Sequence, residues 1–246
     1  AGMLNLADAV LGPITPSACS GLAAWGSYTP DGSMVFGRNW DIDRDSMKKY
    51  MKYLSVVVFN PNEGNSFANI QPLGNVYLET GINDKGLFLE LNNGVYSDAN
   101  IFEERENSVS TLVSALNQCS TIDEAAKHLA AVPADMSYII QIADAKECVS
   151  VERPTFASRV RYSEQNGVLA AYNSFVPPYP QEWAGQVAQP RSPQEDPRYQ
   201  NLLKLANSKE FYGKLNPAGM KKLLDIQMQD GGATHKGTVL QVVATP

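Results

Sequence analysis

The stretch CSGLAAWGSYTPDGSMVFGRNWD, residues 19–41, has the pattern of two β-strands joined by a tight turn. The segments 22–27 and 33–38 are rich in apolar residues, and TPDG (29–32) separates them. Proline at the second position and glycine at the fourth position of TPDG suit a type I turn. The sequence therefore predicts an antiparallel hairpin in this part of the chain.

Polar side chains come together at the open end of this hairpin. Cys19 lies at the start of the first strand, and with TPDG at the turn, residue 42 returns opposite it. Arg38 and Asp41 then lie close to the sulfur. A β-bulge would shift the register by one residue, so Asp43 is an alternative to Asp41. We therefore expect a thiol, a guanidinium and a carboxylate in one place.

These three groups suit a cysteine nucleophile. A thiol with a pKa of about 8.5 is mostly protonated at neutral pH, and we expect Arg38 to lower this pKa by favouring the thiolate. Neither His128 nor His235 stands in a Cys–His protease context, and we expect both to be structural or exposed. If the bond between Ala18 and Cys19 is cut, the freed α-amine, with a pKa of about 7.7 to 8.0, can accept the thiol proton.

The same residues also have ordinary structural interpretations. A single cysteine at a strand start is usually a small buried apolar residue. Arg38 and Asp41 would then form a plain ion pair at the end of a sheet. We interpret Cys119 and Cys148 as small buried apolar residues and expect both in the core.

Strands and helices follow one another in blocks along the rest of the chain. Strands are predicted at 54–59, 76–80, 87–91, 137–144, 147–152, 158–162, 167–172 and 238–244. Helices are predicted at 109–118, at 125–131 after a capping box of Thr121 and Glu124, at 198–206, and at 217–225 after an Asn216 cap. A proline-rich irregular loop is predicted at 177–197. This order predicts an α+β fold in which two antiparallel sheets pack together with helices outside.

The composition of the 246 residues predicts a folded globular protein and excludes several classes of function. The 20 basic and 26 acidic residues give a net charge of −6, so we expect no nucleic-acid partner. No apolar stretch approaches the roughly 20 residues of a membrane-spanning helix, so we expect no membrane insertion. Three cysteines at irregular spacing and two histidines predict neither a disulfide framework nor a metal site, and we expect no cofactor.

Residues 19–41 resemble the start of the choloylglycine hydrolase and penicillin V acylase family, and still more its acyl-CoA:6-aminopenicillanic acid acyltransferase-like relatives, all N-terminal-nucleophile (Ntn) hydrolases. GINDKGLFLELNN (81–93) is similar to the second block of this family, and AAYNSF (170–175) to its asparagine-containing third block. PRYQNLLKL (197–205) resembles a helix that supplies a distal arginine, and GGATHKGTVLQVV (231–243) resembles the closing strand. The resemblance implies a four-layer αββα sandwich and hydrolysis of the carbon–nitrogen bond of a linear amide.

The resemblance also implies catalytic roles for Cys19, Arg38, Asp41, Asn93, Asn173 and Arg198. Cys19 would be the nucleophile and its α-amine the base. Arg38 would polarise the thiol, and Asp41 would hold the amine.

The remaining residues would serve the oxyanion and the surroundings of the site. Asn173 would donate to the oxyanion together with a backbone N–H, at a distance of about 2.7 to 3.1 Å. Asn93, or its neighbour Asn92, would add a second side-chain donor, although LNNG at this position also has the pattern of a plain turn. Arg198 would support the site from its helix.

The resemblance divides the chain at Cys19. Residues 1–18 would be a propeptide or N-terminal lead-in, and residues 19–246 the Ntn-hydrolase domain. Closer family members have more chain before the nucleophile and a further hairpin after the closing strand, so the chain is either short or truncated at its C-terminus. The first residues do not predict a signal peptide. Export after removal of a leader, a cytoplasmic location and homo-oligomerisation all stay open.

Three functions agree with the sequence. The first is an amidase that activates itself by cutting before Cys19 and then cleaves a small acylated amine. The second is an acyltransferase with the same machinery, and the third is a non-catalytic ligand-binding relative that is never processed. No substrate-binding residue is predicted, since bile acid, phenoxyacetyl and fatty acyl amides suit the sequence equally.

Overall fold

Two antiparallel β-sheets form the centre of the computed structural model, which describes residues 19–42, 44–74, 78–94, 101–163, 165, 167–187 and 196–246. The strands are β1 (Ser20–Gly26), β2 (Gly32–Asp41), β3 (Leu54–Phe59), β4 (Phe67–Pro72), β5 (Thr80–Asn83), β6 (Phe88–Asn93), β7 (Tyr138–Ala143), β8 (Cys148–Arg153), β9 (Arg159–Arg161), β10 (Val168–Ala171) and β11 (Thr238–Ala244). The helices are α1 (Arg44–Met51), α2 (Ser108–Gln118), α3 (Ile122–Ala131), α4 (Arg198–Ala206) and α5 (Pro217–Leu224). One sheet has the strand order β10-β1-β2-β11, and the other runs from β3 to β9 in sequence order.

The burial of alternate side chains gives the fold four layers. On the outer face of the seven-stranded sheet, Leu89 and Leu91 belong to a buried cluster with residues of α2 and α3. On the outer face of the four-stranded sheet, Leu22 belongs to a cluster with residues of α4 and α5. Phe36 of β2 and Phe88 of β6 meet between the sheets, with ring centroids 4.8 Å apart. The predicted α+β fold, a four-layer αββα sandwich of two antiparallel sheets, is confirmed.

Helix ends follow the local signals in the sequence. Thr121 caps α3, and its hydroxyl accepts a hydrogen bond of 3.2 Å from the backbone N–H of Glu124. Asn216 caps α5 in the same way, at 2.8 Å from the N–H of Gly219, with Pro217 as the first helical residue. Such caps satisfy N–H groups that the first helical turn leaves without partners.

The structure corrects the register of the first hairpin. The predicted register pairs Ser20 with residue 41, whereas β1 and β2 pair Ser20 with Asn39, a difference of two residues. The pairing shifts between Ala24 and Gly26, where an irregularity interrupts the ladder before the turn. Arg38 and Asp41 nevertheless stay at the end of β2 that lies next to Cys19.

Helix α1, strand β4 and short 3-10 helices at Gln181–Trp183 and Met228–Asp230 were not predicted, and strand β5 begins at Thr80, where the predicted strand 76–80 ends. Cys119 and Cys148 are buried, as expected. The predicted propeptide 1–18, Asp43, residues 76–77 of a predicted strand and residues 188–195 of the predicted loop lie outside the described residues. Within the described ranges, no helix has both the length and the apolar composition needed to cross a bilayer.

Candidate active site

Cys19 lies directly before β1, and its thiol is buried against the neighbouring strand β2. Only 1% of the residue is exposed. The Nη2 group of Arg38 donates to Sγ at 3.6 Å, and Sγ lies 3.9 Å from the backbone carbonyl oxygen of Asp41, to which it can donate. The thiol and the guanidinium that the sequence predicts to be neighbours are therefore in contact.

The environment of Cys19 raises the pKa of its thiol. The pKa rises from 9.0 to about 12, and burial is the largest cause. Arg38 lowers the pKa by less than burial raises it, and the negative charges of Glu79 and Asp41 contribute to the rise. Arg38 lowers the pKa of the thiol, as expected, but desolvation outweighs the guanidinium and the net pKa is raised. A protonated thiol of this kind needs a base nearby in order to react.

Arg38 lies between the two sheets, and its side chain is 1% exposed. Its Nε is 3.0 Å from Oε2 of Glu90, and its Nη2 is 3.4 Å from Oε2 of Glu79. Nη1 donates to the backbone oxygen of Glu79 at 2.7 Å and to the hydroxyl of Thr80, and Nη2 donates to the backbone oxygen of Leu91 at 2.7 Å. These contacts fix the plane of the guanidinium beside the sulfur of Cys19.

Asp41 is fully buried at the end of β2, and three side chains surround its carboxylate. Thr238 donates to Oδ1 at 2.5 Å, while Oδ2 is 3.3 Å from Nη1 of Arg198 and 3.2 Å from Nε2 of His235. The N–H of Gly237 donates to Nδ1 of His235 at 3.1 Å, so the ring presents a protonated Nε2 to Asp41. His235 was expected to be structural or exposed, and its ring contacts a candidate catalytic carboxylate.

Arg198, near the start of α4, connects the other groups of the site. Nη1 donates to the backbone oxygen of Cys19 at 3.0 Å, and Nη2 donates to Oδ1 of Asn173 at 3.1 Å. Asp196 binds the same guanidinium through both carboxylate oxygens, at 2.8 Å from Nε and 2.5 Å from Nη2. A bidentate pair of this kind orients an arginine side chain strongly.

The three candidate asparagines differ in what the structure does with them. Asn173 is 5% exposed, and its Nδ2 donates to the backbone oxygen of Asn93 at 2.8 Å. Asn93 is thereby brought to the site through its carbonyl group. Asn92 points to the interior between the sheets, where its Nδ2 donates to Oε1 of Glu90 at 2.6 Å.

Comparison with known proteins agrees with this architecture. The sequence profile of one family, described as acyl-coenzyme A:6-aminopenicillanic acid acyl-transferase, matches residues 27–225, a span that begins after Cys19 and includes the other five candidate residues. The chain belongs to this acyl-transferase family. A search of characterised protein sequences finds no significant match.

Two solved structures have the same fold as this chain. An N-acylethanolamine-hydrolyzing acid amidase ortholog from Caenorhabditis elegans superposes with a TM-score of 0.69 at 18% identity, covering 92% of each chain. A penicillin V acylase from Agrobacterium tumefaciens superposes with a TM-score of 0.58 at 15% identity, covering 92% of this chain and 80% of its own. At these identities the likeness concerns the fold.

Five residues of the site were not predicted from the sequence. They are Glu79, Glu90, Asp196, His235 and Thr238. The sequence carries a usable signal for Glu90. In LFLELNN (87–93), the leucines at alternate positions occupy one face of a strand, and Glu90 and Asn92 occupy the other face. In a four-layer fold both faces of such a strand are buried, so a glutamate there requires a partner.

Among the described residues, no group of His, Cys, Asp and Glu side chains is arranged to hold a metal ion.

Proposed function

We propose that this chain is an amide hydrolase of the N-terminal-nucleophile type, with Cys19 as the nucleophile. The observation that carries the proposal is the contact of Arg198 with both the backbone oxygen of Cys19, at 3.0 Å, and the carboxylate of Asp41, at 3.3 Å. This contact holds the backbone of Cys19 beside a carboxylate, while Arg38 holds its sulfur. An enzyme whose base is the α-amine of its own nucleophile requires this double positioning.

The first step of the proposal exposes that amine. Sγ of Cys19 attacks the carbonyl carbon of Ala18, and the C–N bond between the two residues breaks as the α-nitrogen takes a proton. The resulting thioester is then hydrolysed by water. The products are a carboxylate on Ala18, and a free thiol and a free amine on Cys19.

The same groups then act on a substrate. The α-amine takes the proton of the thiol, Arg38 stabilises the thiolate, and Asp41 holds the ammonium group. The sulfur attacks the amide carbonyl, the ammonium gives its proton to the leaving amine, and water hydrolyses the thioester. An amide nitrogen carries two hydrogens, so Nδ2 of Asn173 can donate to the oxyanion while it keeps its bond to Asn93. The side chain of Asn93 is proposed as a further donor.

The substrate is proposed to be a small acylated amine. One structural relative is named for the hydrolysis of N-acylethanolamines and another is a penicillin V acylase. A second candidate function, transfer of the acyl group to an amine, is favoured by the description of the family to which the chain belongs. The two functions differ only in whether water or an amine attacks the thioester.

The proposal is tested by following the mass and the activity of the purified protein. We expect loss of residues 1–18, a new N-terminus at Cys19, and hydrolysis of at least one member of a panel of acyl amides. Cys19→Ala should prevent both events. Cys148→Ala is the matched control. Cys148 is buried like Cys19, but its sulfur contacts Gln141 instead of Arg38.

Retention of the full mass after long incubation would support an unprocessed ligand-binding protein. Amidase activity in Cys19→Ala would contradict the assignment of the nucleophile. Adding an amine acceptor to the assay separates the two candidate functions, since an acyltransferase would form the new amide faster than the free acid.

Asn173 can be tested separately from the nucleophile. We expect Asn173→Ala to lower kcat by about 100-fold to 1000-fold, because an oxyanion donor acts mainly in the transition state. The control is Asn207→Ala, since Asn207 contacts Tyr28 and Gln165 away from the site. Equal kcat values for the two variants would remove Asn173 from the mechanism.

A further inference from the structure

One arginine serves three acidic groups in the interior between the sheets. The guanidinium of Arg38 contacts the thiol of Cys19 at 3.6 Å, the carboxylate of Glu90 at 3.0 Å and the carboxylate of Glu79 at 3.4 Å. The side chain of Glu90 is 0% exposed, while that of Glu79 is 23% exposed. Glu90 is therefore the competitor that solvent does not screen.

The packing around Glu90 leaves its carboxylate little freedom. Asn92 donates to Oε1 at 2.6 Å. The opposite strand approaches closely at Gly21, where a Cβ atom would lie 2.6 Å from Oε1 of Glu90 and 2.2 Å from Oε1 of Gln141. A residue larger than glycine at position 21 would force the side chain of Glu90 or Gln141 to move, so the absence of a side chain at Gly21 leaves room for the carboxylate.

The charges around Glu90 do not balance. The charged and titratable groups that face it in the described structure are Arg38 of β2, Glu79 before β5 and Cys148 of β8. Burial keeps the thiol of Cys148 neutral by raising its pKa well above 9.0. Arg38 is thus the one cation facing Glu90 among the described residues, and two ionised glutamates already exceed its charge before any thiolate forms.

We infer that Glu90 is a positioning residue that competes with the Cys19 thiolate for the charge of Arg38. When Glu90 is protonated, the guanidinium is available to the sulfur and favours the thiolate. When Glu90 is ionised, its charge offsets that of Arg38 and the thiolate is disfavoured. This inference rests on the proposed role of Cys19 and concerns how readily its sulfur ionises.

The pH at which this competition begins follows from the state of Glu90. Burial raises the pKa of its carboxyl from 4.5 to about 7, against the opposing effects of Arg38 and the hydrogen bond from Asn92. Below this pKa the carboxyl is neutral, so removing its charge changes nothing. Above it the charge is present, so removing it should favour the thiolate.

The experiment compares Glu90→Gln with the wild type in the reaction of Cys19 with methyl methanethiosulfonate, a small uncharged thiol reagent. Peptide mass mapping follows Cys19 separately from Cys119 and Cys148. The rates are measured from about pH 5 to about pH 9, which brackets the Glu90 pKa of about 7. We expect the ratio of variant to wild-type rate to be about one at the acid end. The ratio should rise to about threefold at the alkaline end. A fall of about one unit in the pKa of the Cys19 thiol gives about tenfold more thiolate, and the lower nucleophilicity of that thiolate reduces the gain in rate to about threefold.

The ratio is the decisive quantity, because the titration of the α-amine of Cys19 affects both proteins and cancels. A ratio that stays constant with pH would mean that Glu90 is merely structural and would overturn the inference. Glu79→Gln is the comparison variant, and its ratio should change less with pH, because the side chain of Glu79 is 23% exposed and solvent screens its charge. A step in Glu79→Gln and none in Glu90→Gln would also overturn the inference.

Two further readouts keep the test decisive. If Glu90→Gln does not fold, the side-chain carboxyl carbons of the wild-type glutamates are titrated by NMR. We expect one to titrate near pH 7, and completion of every titration near the ordinary value of 4.5 would overturn the inference. The thiol reaction needs no substrate, so a pH-dependent ratio in a protein that cleaves no amide would remove the proposed function and leave the competition for Arg38 standing.

Discussion

Two clusters of the same composition hold Cys19 from opposite sides. The inner cluster, between the sheets, consists of Arg38, Glu79 and Glu90. The outer cluster, beside α4, consists of Arg198, Asp41 and Asp196. Each contains one guanidinium and two carboxylates. The inner cluster contacts the sulfur of Cys19 at 3.6 Å, and the outer cluster contacts its backbone oxygen at 3.0 Å.

The clusters differ in how many donors their carboxylates receive. In the outer cluster, Asp41 has Thr238, Arg198 and His235 around it, and Asp196 receives Nε, Nη2 and the backbone N–H of Arg198. In the inner cluster, Glu90 has the ion pair with Arg38 and one hydrogen bond from Asn92. Each donor also fixes the position of the carboxylate that it contacts. We therefore expect the outer cluster to be a fixed scaffold, whereas the inner cluster can change with the protonation of Glu90.

The largest expected effect is the loss of the outer guanidinium. Arg198→Leu leaves Asp41 and Asp196 buried without their cation, so we expect the free energy of unfolding to fall by about 3–5 kcal/mol. Urea unfolding measures this loss. Lys221→Ala is the control, since Lys221 pairs with Asp225 at the surface and should change stability little. Similar losses in both variants would show that the outer cluster is not a scaffold.

The space kept at Gly21 gives the next largest effect. In Gly21→Ala the new methyl group would overlap the oxygens of Gln141 and Glu90, so we expect a loss of about 1–3 kcal/mol in the free energy of unfolding. The neighbouring Ser20→Ala is the control, because its buried hydroxyl has no hydrogen-bond partner among the described residues. Equal stability of the two variants would mean that the sheets separate easily at this point.

The inner cluster should respond to pH when its arginine is removed. In Arg38→Leu the carboxyl of Glu90 loses the cation that opposes burial, so its pKa should rise further above about 7. A carboxyl whose folded pKa is raised stabilises the folded state at low pH, and this stability is lost as pH rises towards the folded pKa. We therefore expect Arg38→Leu to cost about 1–2 kcal/mol more at about pH 8 than at about pH 5. Unfolding curves at the two pH values would contradict this if the cost did not change.

The smallest effect is expected at His235. His235→Ala removes one donor from Asp41 and leaves Thr238 and Arg198 in place, so stability should fall by about 1 kcal/mol or less. His128→Ala is the control, since His128 contacts Ser114 between α2 and α3. A severalfold loss of amidase activity in His235→Ala alone would connect the histidine to the reaction, and unchanged activity would limit it to support of Asp41.

The parts that could be predicted from the sequence depend on local chemistry. The hairpin of residues 19–41 places Arg38 near Cys19 whatever the exact register, because both lie at its open end. The caps Thr121 and Asn216 depend only on the next three residues. The resemblance to Ntn hydrolases then supplied Arg198, which contacts the backbone oxygen of Cys19, and Asn173, which contacts Arg198.

The parts that were missed depend on packing between distant segments. Glu90 lies beside Arg38 only because the two sheets stack face to face. His235 and Thr238 reach Asp41 only because β11 pairs with β2. The net rise in the pKa of Cys19 could not be predicted for the same reason, since the sequence shows the arginine but not the depth of burial.

The pairing of β11 with β2 also determines when the site can form. The hydroxyl of Thr238 and the carboxylate of Asp41 are separated by 197 residues along the chain. During synthesis, Cys19 emerges well before β11, the strand that completes its surroundings. A nascent chain therefore carries this sulfur before Thr238 and His235 can reach Asp41, and the proposed self-cleavage should wait until β11 has joined the sheet.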